Sequence, residues 1–176
     1  RVVCGLGLSG PRVAEGWYGQ PWGSPNQRLR DYVAIVRQAF RREGPVAHDG
    51  PELSLPYTGP GSVGAGRPLT SILHMNPDIP IFLATGGPAN VRLMAEVADG
   101  WLPLGYTPGS AHLYEDDLAE GLRRGGRSMD DLEVQTGAML HLTDDVGAAL
   151  DAARPGVAMR VGGYGTASHN FHRDAM

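Results

Sequence analysis

Short apolar runs that stop at glycine turns alternate along this chain with segments of helical period. Ile81-Phe82-Leu83-Ala84 halts at Thr85-Gly86-Gly87-Pro88, and a helical pattern begins at once, with Val91, Met94, Ala95 and Ala98 on one face. That helix is expected to close at Asp99-Gly100, before a second run, Trp101-Leu102-Pro103-Leu104. Strand, helix and strand in such a short stretch predict a βαβ crossover. The turn itself carries chemistry. Two glycines let backbone amides approach an anion, Pro88 suits the first helical turn, and the helix dipole favours negative charge at that end. Thr85, Gly86, Gly87 and Pro88 therefore form a candidate phosphate cradle with no side-chain ligand.

A second glycine-rich strand end opens the chain, Val2-Val3-Cys4-Gly5-Leu6-Gly7-Leu8-Ser9-Gly10-Pro11. It contains a literal GxGxxG. A dinucleotide site needs a helix starting on that turn and an acidic residue about twenty positions on, at the end of the next strand. Here Pro11 leads into a polar aromatic loop, Glu15-Gly16-Trp17-Tyr18-Gly19-Gln20-Pro21-Trp22, and Asp31 falls inside a predicted helix. The preferred reading is a strand whose carboxyl end faces a planar ligand, with glycine and Ser9 leaving room for it; a turn of no function is the alternative.

The remaining pattern continues the alternation. Ser24 and Gln27 suggest a capping box with Pro25 at the first helical position, and Leu29, Tyr32, Val33, Val36 and Phe40 line one face before Gly44-Pro45. Val46 to Asn76 is rich in Pro, Gly, Ser and Thr without sustained period, and reads as a long loop. After Tyr106-Thr107-Pro108-Gly109-Ser110, a helix is expected with Leu113, Leu118 and Leu122 inward, closed by Gly125-Gly126. Leu132 to Leu142 alternates as a strand should, with Leu132, Val134, Ala138, Leu140 and Leu142 on one parity. Thr143-Asp144-Asp145 then caps a short helix carrying Val146, Ala149, Leu150 and Ala153, and Ser168 to Met176 begins another.

Composition narrows the chemistry. All 15 basic residues are arginine, which removes a Walker A lysine, a Schiff-base lysine and an SxxK nucleophile. The net charge of -4 argues against a nucleic-acid footprint. Hydrophobic residues make up 41%, and no apolar run approaches the length of a membrane span, so a cytoplasmic enzyme with neither signal peptide nor anchor is expected. Cys4 is the sole cysteine and reads as a small core residue. His169 and His172 lie three apart but lack a third ligand, so no metal site is expected. Asp116-Asp117 and Asp144-Asp145 read as solvated or helix-start charge. Glu15 is a weak candidate for a general acid or a ligand contact, and Trp17, Tyr18 and Trp22 for either an aromatic wall or loop packing.

Several of these stretches together resemble the luciferase-like monooxygenase superfamily, and within it the F420-dependent oxidoreductases of actinobacterial type. The resemblance is carried by Gly5-Leu6-Gly7-Leu8-Ser9-Gly10-Pro11, Glu15-Gly16-Trp17-Tyr18-Gly19 and Arg30-Asp31-Tyr32-Val33-Ala34-Ile35-Val36-Arg37. It continues through Ile81 to Pro88, Ala95-Glu96-Val97-Ala98-Asp99-Gly100-Trp101-Leu102-Pro103, Gly162-Gly163-Tyr164-Gly165 and His169-Asn170-Phe171, in the family's order and over essentially the whole chain.

The resemblance implies an α/β fold, a TIM (β/α)8 barrel, which typically needs about 250 residues. A chain of 176 residues beginning with Arg1 is then expected to be an internal fragment, one partial barrel domain over 1–176. It would hold strands four to seven with their helices and lack strands one to three and the eighth. The resemblance implies coenzyme F420 as cofactor and hydride transfer to or from an unknown small organic substrate, in a homo-oligomeric parent. It assigns Gly7, Leu8, Ser9 and Gly10 to the cofactor ring and Thr85, Gly86, Gly87 and Pro88 to its phosphate; Trp17, Tyr106 and Thr107 line the substrate side. Some F420-dependent relatives carry an acid directly in the first glycine turn, where this chain has Leu8 and Ser9, which leaves proton delivery unassigned. Two rivals stand beside this reading. One is an FMN-dependent monooxygenase of the same superfamily, using molecular oxygen. The other is a non-catalytic barrel fragment, since half a barrel exposes two strand edges and an incomplete core.

Overall fold

A computed structural model of the chain describes residues 1–163. Its centre is a parallel sheet of four strands in the order β1 (Cys4–Gly7), β4 (Ile81–Thr85), β5 (Gly100–Pro103) and β6 (Glu133–Val134). A two-stranded antiparallel hairpin, β2 (His48–Asp49) and β3 (Ser54–Leu55), lies apart from it. The helices are α1 (Pro11–Gly16), α2 (Pro25–Arg41), α3 (Pro88–Val97), α4 (Glu115–Gly125) and α5 (Val146–Gly163). The predicted crossover is there: β4, α3 and β5 follow one another, and the two strands pair in parallel from Phe82 opposite Gly100 to Thr85 opposite Pro103.

Parity within the sheet sorts its two faces. Ile81, Leu83 and Trp101 turn to the helices and join Leu29, Val33 and Phe40 of α2, Val91, Met94 and Ala95 of α3, and Leu118 and Leu122 of α4 in one core. Gly5, Phe82 and Gly100 share the next register level and belong to the opposite face. Cys4 is half-buried at the edge of this core, as expected of a small apolar side chain.

The sequence pattern departs from the structure at definite places. Pro11 does not lead into a loop: it starts α1, with the Gly10 carbonyl accepting N–H bonds from Val13 and Ala14, each at 3.0 Å. The Ser24 capping box does not form. Ser24 gives its N–H to Glu52 Oε1 instead, and Arg28 reaches the carbonyls of Pro21 and Trp22 and the Glu52 carboxylate. Tyr32 is exposed while its neighbour Asp31 is buried, because the loop following α2 folds back onto that flank. Within that loop the β2–β3 hairpin gives two N–H groups, of Glu52 and Leu53, to Asp31 Oδ2 at 3.0 and 2.9 Å.

Asp99-Gly100 is not a helix cap. α3 stops at Val97, Asp99 Oδ2 accepts the Ile81 N–H and Arg37, and Gly100 begins β5. Leu113 sits in a 3-10 turn and is exposed, which shifts the phase so that Tyr114 is buried in its place. The long strand expected at Leu132–Leu142 shrinks to Glu133–Val134, paired with Gly100 and Trp101 of β5, and the Gln135 N–H adds a bond to the Trp101 carbonyl. Ala138, Leu140 and Leu142 are exposed. α5 is a full 18 residues, longer than expected, with Asp145 capping its start through Ala148 N–H. Tyr164, His169 and His172 lie outside the described residues.

Candidate functional site

Register brings the candidate residues to one edge of the sheet. Gly7 lies opposite Ala84 and Ala84 opposite Leu102, so Leu8-Ser9-Gly10, Thr85-Gly86-Gly87 and the residues after Pro103 all leave from the carboxyl ends of parallel strands. In parallel α/β sheets ligands bind at that edge.

The Gly86-Gly87 turn carries the most chemistry. Gly87 caps α3, and its carbonyl accepts the N–H groups of Asn90 and Val91 at 3.0 and 2.9 Å. The N–H groups of Gly86, Gly87 and Ala89 find no partner among the described residues, and Pro88 has none to offer. Two buried side-chain atoms beside them are also unpartnered, Thr85 Oγ1 and Asn90 Oδ1. Thr85 is 2% exposed. Asn90 Nδ2 lies 3.9 Å from the place a Cβ on Gly87 would take, which puts the amide beside the turn. Orphan N–H donors at a helix start fit an anion such as a phosphate.

The first glycine turn contributes shape. Ser9 holds a left-handed φ of 59°, a strained state for a residue with a side chain, and Gly10 is buried beneath it. Leu8 is half-buried against the core. Glu15 and Trp17 project into solvent from the end of α1, and Glu15 makes no polar contact among the described residues. Trp17 and Tyr18 form no ring contact with another aromatic there, whereas Trp22 is half-buried and lends its carbonyl to Arg28.

On the other side, Tyr106 is half-buried with its ring 5.2 Å from Trp101 and 5.9 Å from Tyr114. Burial also raises the Tyr114 phenol above its ordinary range. Thr107 is exposed and closes a turn with Ser110, whose Oγ accepts the Thr107 N–H at 2.9 Å.

Two residues of this edge escaped sequence reasoning. Asn90 stands three residues past the Gly87 cap, a position whose side chain can reach back to the turn; Trp101 donates its indole N–H to the Thr85 carbonyl at 3.0 Å. A buried tryptophan needs such an acceptor, so its place just after a strand-initiating glycine was the available signal.

Comparison with known proteins places this geometry in a family. The luciferase-like monooxygenase family model matches residues 1–175. A Mycobacterium tuberculosis protein whose name provisionally places it among coenzyme F420-dependent oxidoreductases is 47% identical over 99% of this chain and 51% of its own length. The 5,10-methylenetetrahydromethanopterin reductase of Archaeoglobus fulgidus is 29% identical over 93% of the chain and 45% of its own length. Among solved structures, the coenzyme F420-dependent tetrahydromethanopterin reductase of Methanopyrus kandleri superposes with a TM-score of 0.68 at 22% identity, over 92% of this chain and 47% of that one. The chain thus spans about half the length of the curated relatives it matches. The four parallel strands and their helices are part of a (β/α)8 barrel, the fold of these structural neighbours. With the family pattern running from residue 1 to 175 and the barrel architecture shared, the chain belongs to the luciferase-like monooxygenase family.

Proposed function

We propose that the whole protein is an F420-dependent oxidoreductase, and that this chain supplies the cofactor's phosphate cradle and part of its ring face. The observation that carries the reading is the cluster of unpartnered N–H groups at Gly86, Gly87 and Ala89, with Thr85 Oγ1 and Asn90 beside them. Among the relatives, the Mycobacterium tuberculosis protein and the Methanopyrus kandleri reductase carry coenzyme F420 in their names, which supports the same cofactor here. When bound, the deazaflavin supplies hydride chemistry at its C5.

The chain's own residues bind and orient. Backbone amides at Gly86 and Gly87 hold the phosphate without a cation, and α3 adds its dipole. Gly7, Leu8, Ser9 and Gly10 face the ring, the missing side chains of the glycines leaving space for a flat ligand. Trp17, just after α1, and Tyr106 and Thr107, after β5, line the substrate side, with Tyr106 packed against Trp101. Glu15, on α1 just past the Ser9 turn, stays a weak candidate for a general acid or a ligand contact, and proton delivery is left unassigned. The substrate is a small organic molecule.

The test is a fluorescence titration of the whole protein with F420 and with FMN, repeated on Gly87→Ala. Only Asn90 Nδ2, at 3.9 Å, lies near a Cβ there, so the variant folds while its methyl crowds the cradle. Tight F420 binding, poor FMN binding and a loss of about tenfold or more in Gly87→Ala are expected. FMN binding without F420 binding would give the monooxygenase reading instead.

A further inference from the structure

We infer that Trp101 is a positioning residue for the phosphate cradle: its indole fixes the Thr85–Gly86 peptide so that the Gly86 N–H points at the anion. The inference rests on the cradle reading above. Trp101 is fully buried, and its Nε1–H donates to the Thr85 carbonyl at 3.0 Å. That carbonyl and the Gly86 N–H belong to one planar trans peptide and point in opposite directions. Tethering the oxygen to the indole therefore aims the N–H away from it.

The tether matters because Gly86 and Gly87 come directly after Thr85. A peptide flanked by glycine rotates readily, since glycine accepts either sign of φ, and two glycines in succession leave the turn without a preference of its own. The last ladder position of β4 is Thr85, opposite Pro103, which carries no N–H to grip the turn. The indole is the side chain that takes hold. It is itself clamped by two edge-on rings, Tyr106 at 5.2 Å and 68° and Tyr114 at 5.1 Å and 70°. Trp101 thus connects the phosphate end of the candidate site to Tyr106 at its substrate end.

The experiment compares Trp101→Phe with the native whole protein, using F420 and the same deazaflavin riboside without its phosphate. The variant is expected to weaken F420 about tenfold, the worth of one well-placed hydrogen bond, and to leave the phosphate-free riboside within about twofold. Equal losses for both ligands, or none for either, overturn the proposal, because a merely structural tryptophan makes no distinction between them.

A variant-free measurement covers the case in which Trp101→Phe does not fold. In the native protein the Trp101 indole N–H resonance is expected to shift with F420 at the same midpoint as the Gly86 and Gly87 amides, and to stay still with the riboside. If the glycine amides move and the indole does not, the Trp101 proposal falls and the cradle stands. If the glycine amides are silent, the cradle reading fails and takes the proposal with it.

Discussion

The ring of Phe82 lies over Gly100, its register partner on β5: a Cβ on that glycine would sit 2.5 Å from the ring's Cε1 and Cζ. Phe82 is fully buried, so the ring has no open side to retreat into. Gly100→Ala is expected to lower stability by about 1–3 kcal/mol through overpacking. A lower urea midpoint at unchanged slope would show it. Gly5, the partner of Phe82 on β1, has only Leu102 Cδ1 near its open position, at 3.9 Å. Gly5→Ala should therefore stay within about 0.5 kcal/mol of the native protein, and equal losses at both positions would refute the steric account.

Asp31 joins α2 to the hairpin. Its Oδ2 accepts two backbone N–H bonds, and His48 Nε2 stands 3.0 Å from Oδ1, close enough for an ion pair but not aligned as a hydrogen bond. Burial pushes the carboxyl up, but the His48 ring and the two N–H donors outweigh it and hold the group below the ordinary carboxylate range. A depressed folded value stabilises the native state above the unfolded value, about 3.9, and that contribution is lost as pH falls through the folded value. Asp31→Asn should cost about 1–3 kcal/mol at neutral pH. Urea midpoints taken from pH 7 downward should converge with the native curve in acid; parallel curves would show that the charge on Asp31 does not matter.

Helix α4 approaches α3 on a glycine. A Cβ on Gly121 would meet the Arg92 carbonyl oxygen at 2.3 Å and Ala95 Cβ at 2.7 Å, both on α3. Gly121→Ala should push the helices apart at a cost of about 1–3 kcal/mol. Because α3 carries the cradle at its other end, thermal denaturation with and without F420 checks the effect twice: the melting temperature drops, while the shift that F420 produces stays the same.

What the sequence made legible was the local periodicity that packing reinforces. β4, α3 and β5 were readable because Ile81 to Leu83 and Val91, Met94 and Ala95 are core residues whose spacing has no other use. The gathering of the glycine turns followed from strand direction. Long-range bonds were illegible: nothing in Ser24-Pro25-Asn26-Gln27 announces that Glu52 takes the Ser24 N–H, and nothing around Asp31 announces a hairpin 21 residues on. Gly100 misled because glycine after a helical pattern usually ends the helix, whereas here it makes room for Phe82. At the site, Asn90 and Trp101 were missed because their roles depend on which peptide they face.

Thr85 separates stability from binding. Its hydroxyl is buried without a hydrogen-bond partner among the described residues, a state that costs about 1–3 kcal/mol when no ligand satisfies it. Valine has nearly the same shape and the same preference for a strand, and it leaves nothing unsatisfied. Thr85→Val should therefore raise the stability of the ligand-free protein by about 1 kcal/mol, while weakening F420 about tenfold through loss of a donor to its phosphate. A structural hydroxyl would give the opposite sign in the first measurement and no change in the second. Urea denaturation without cofactor and a fluorescence titration with it decide the matter together: a variant that gains stability and loses affinity identifies Thr85 as a group kept unsatisfied for its ligand, and one that loses stability assigns the hydroxyl to the fold.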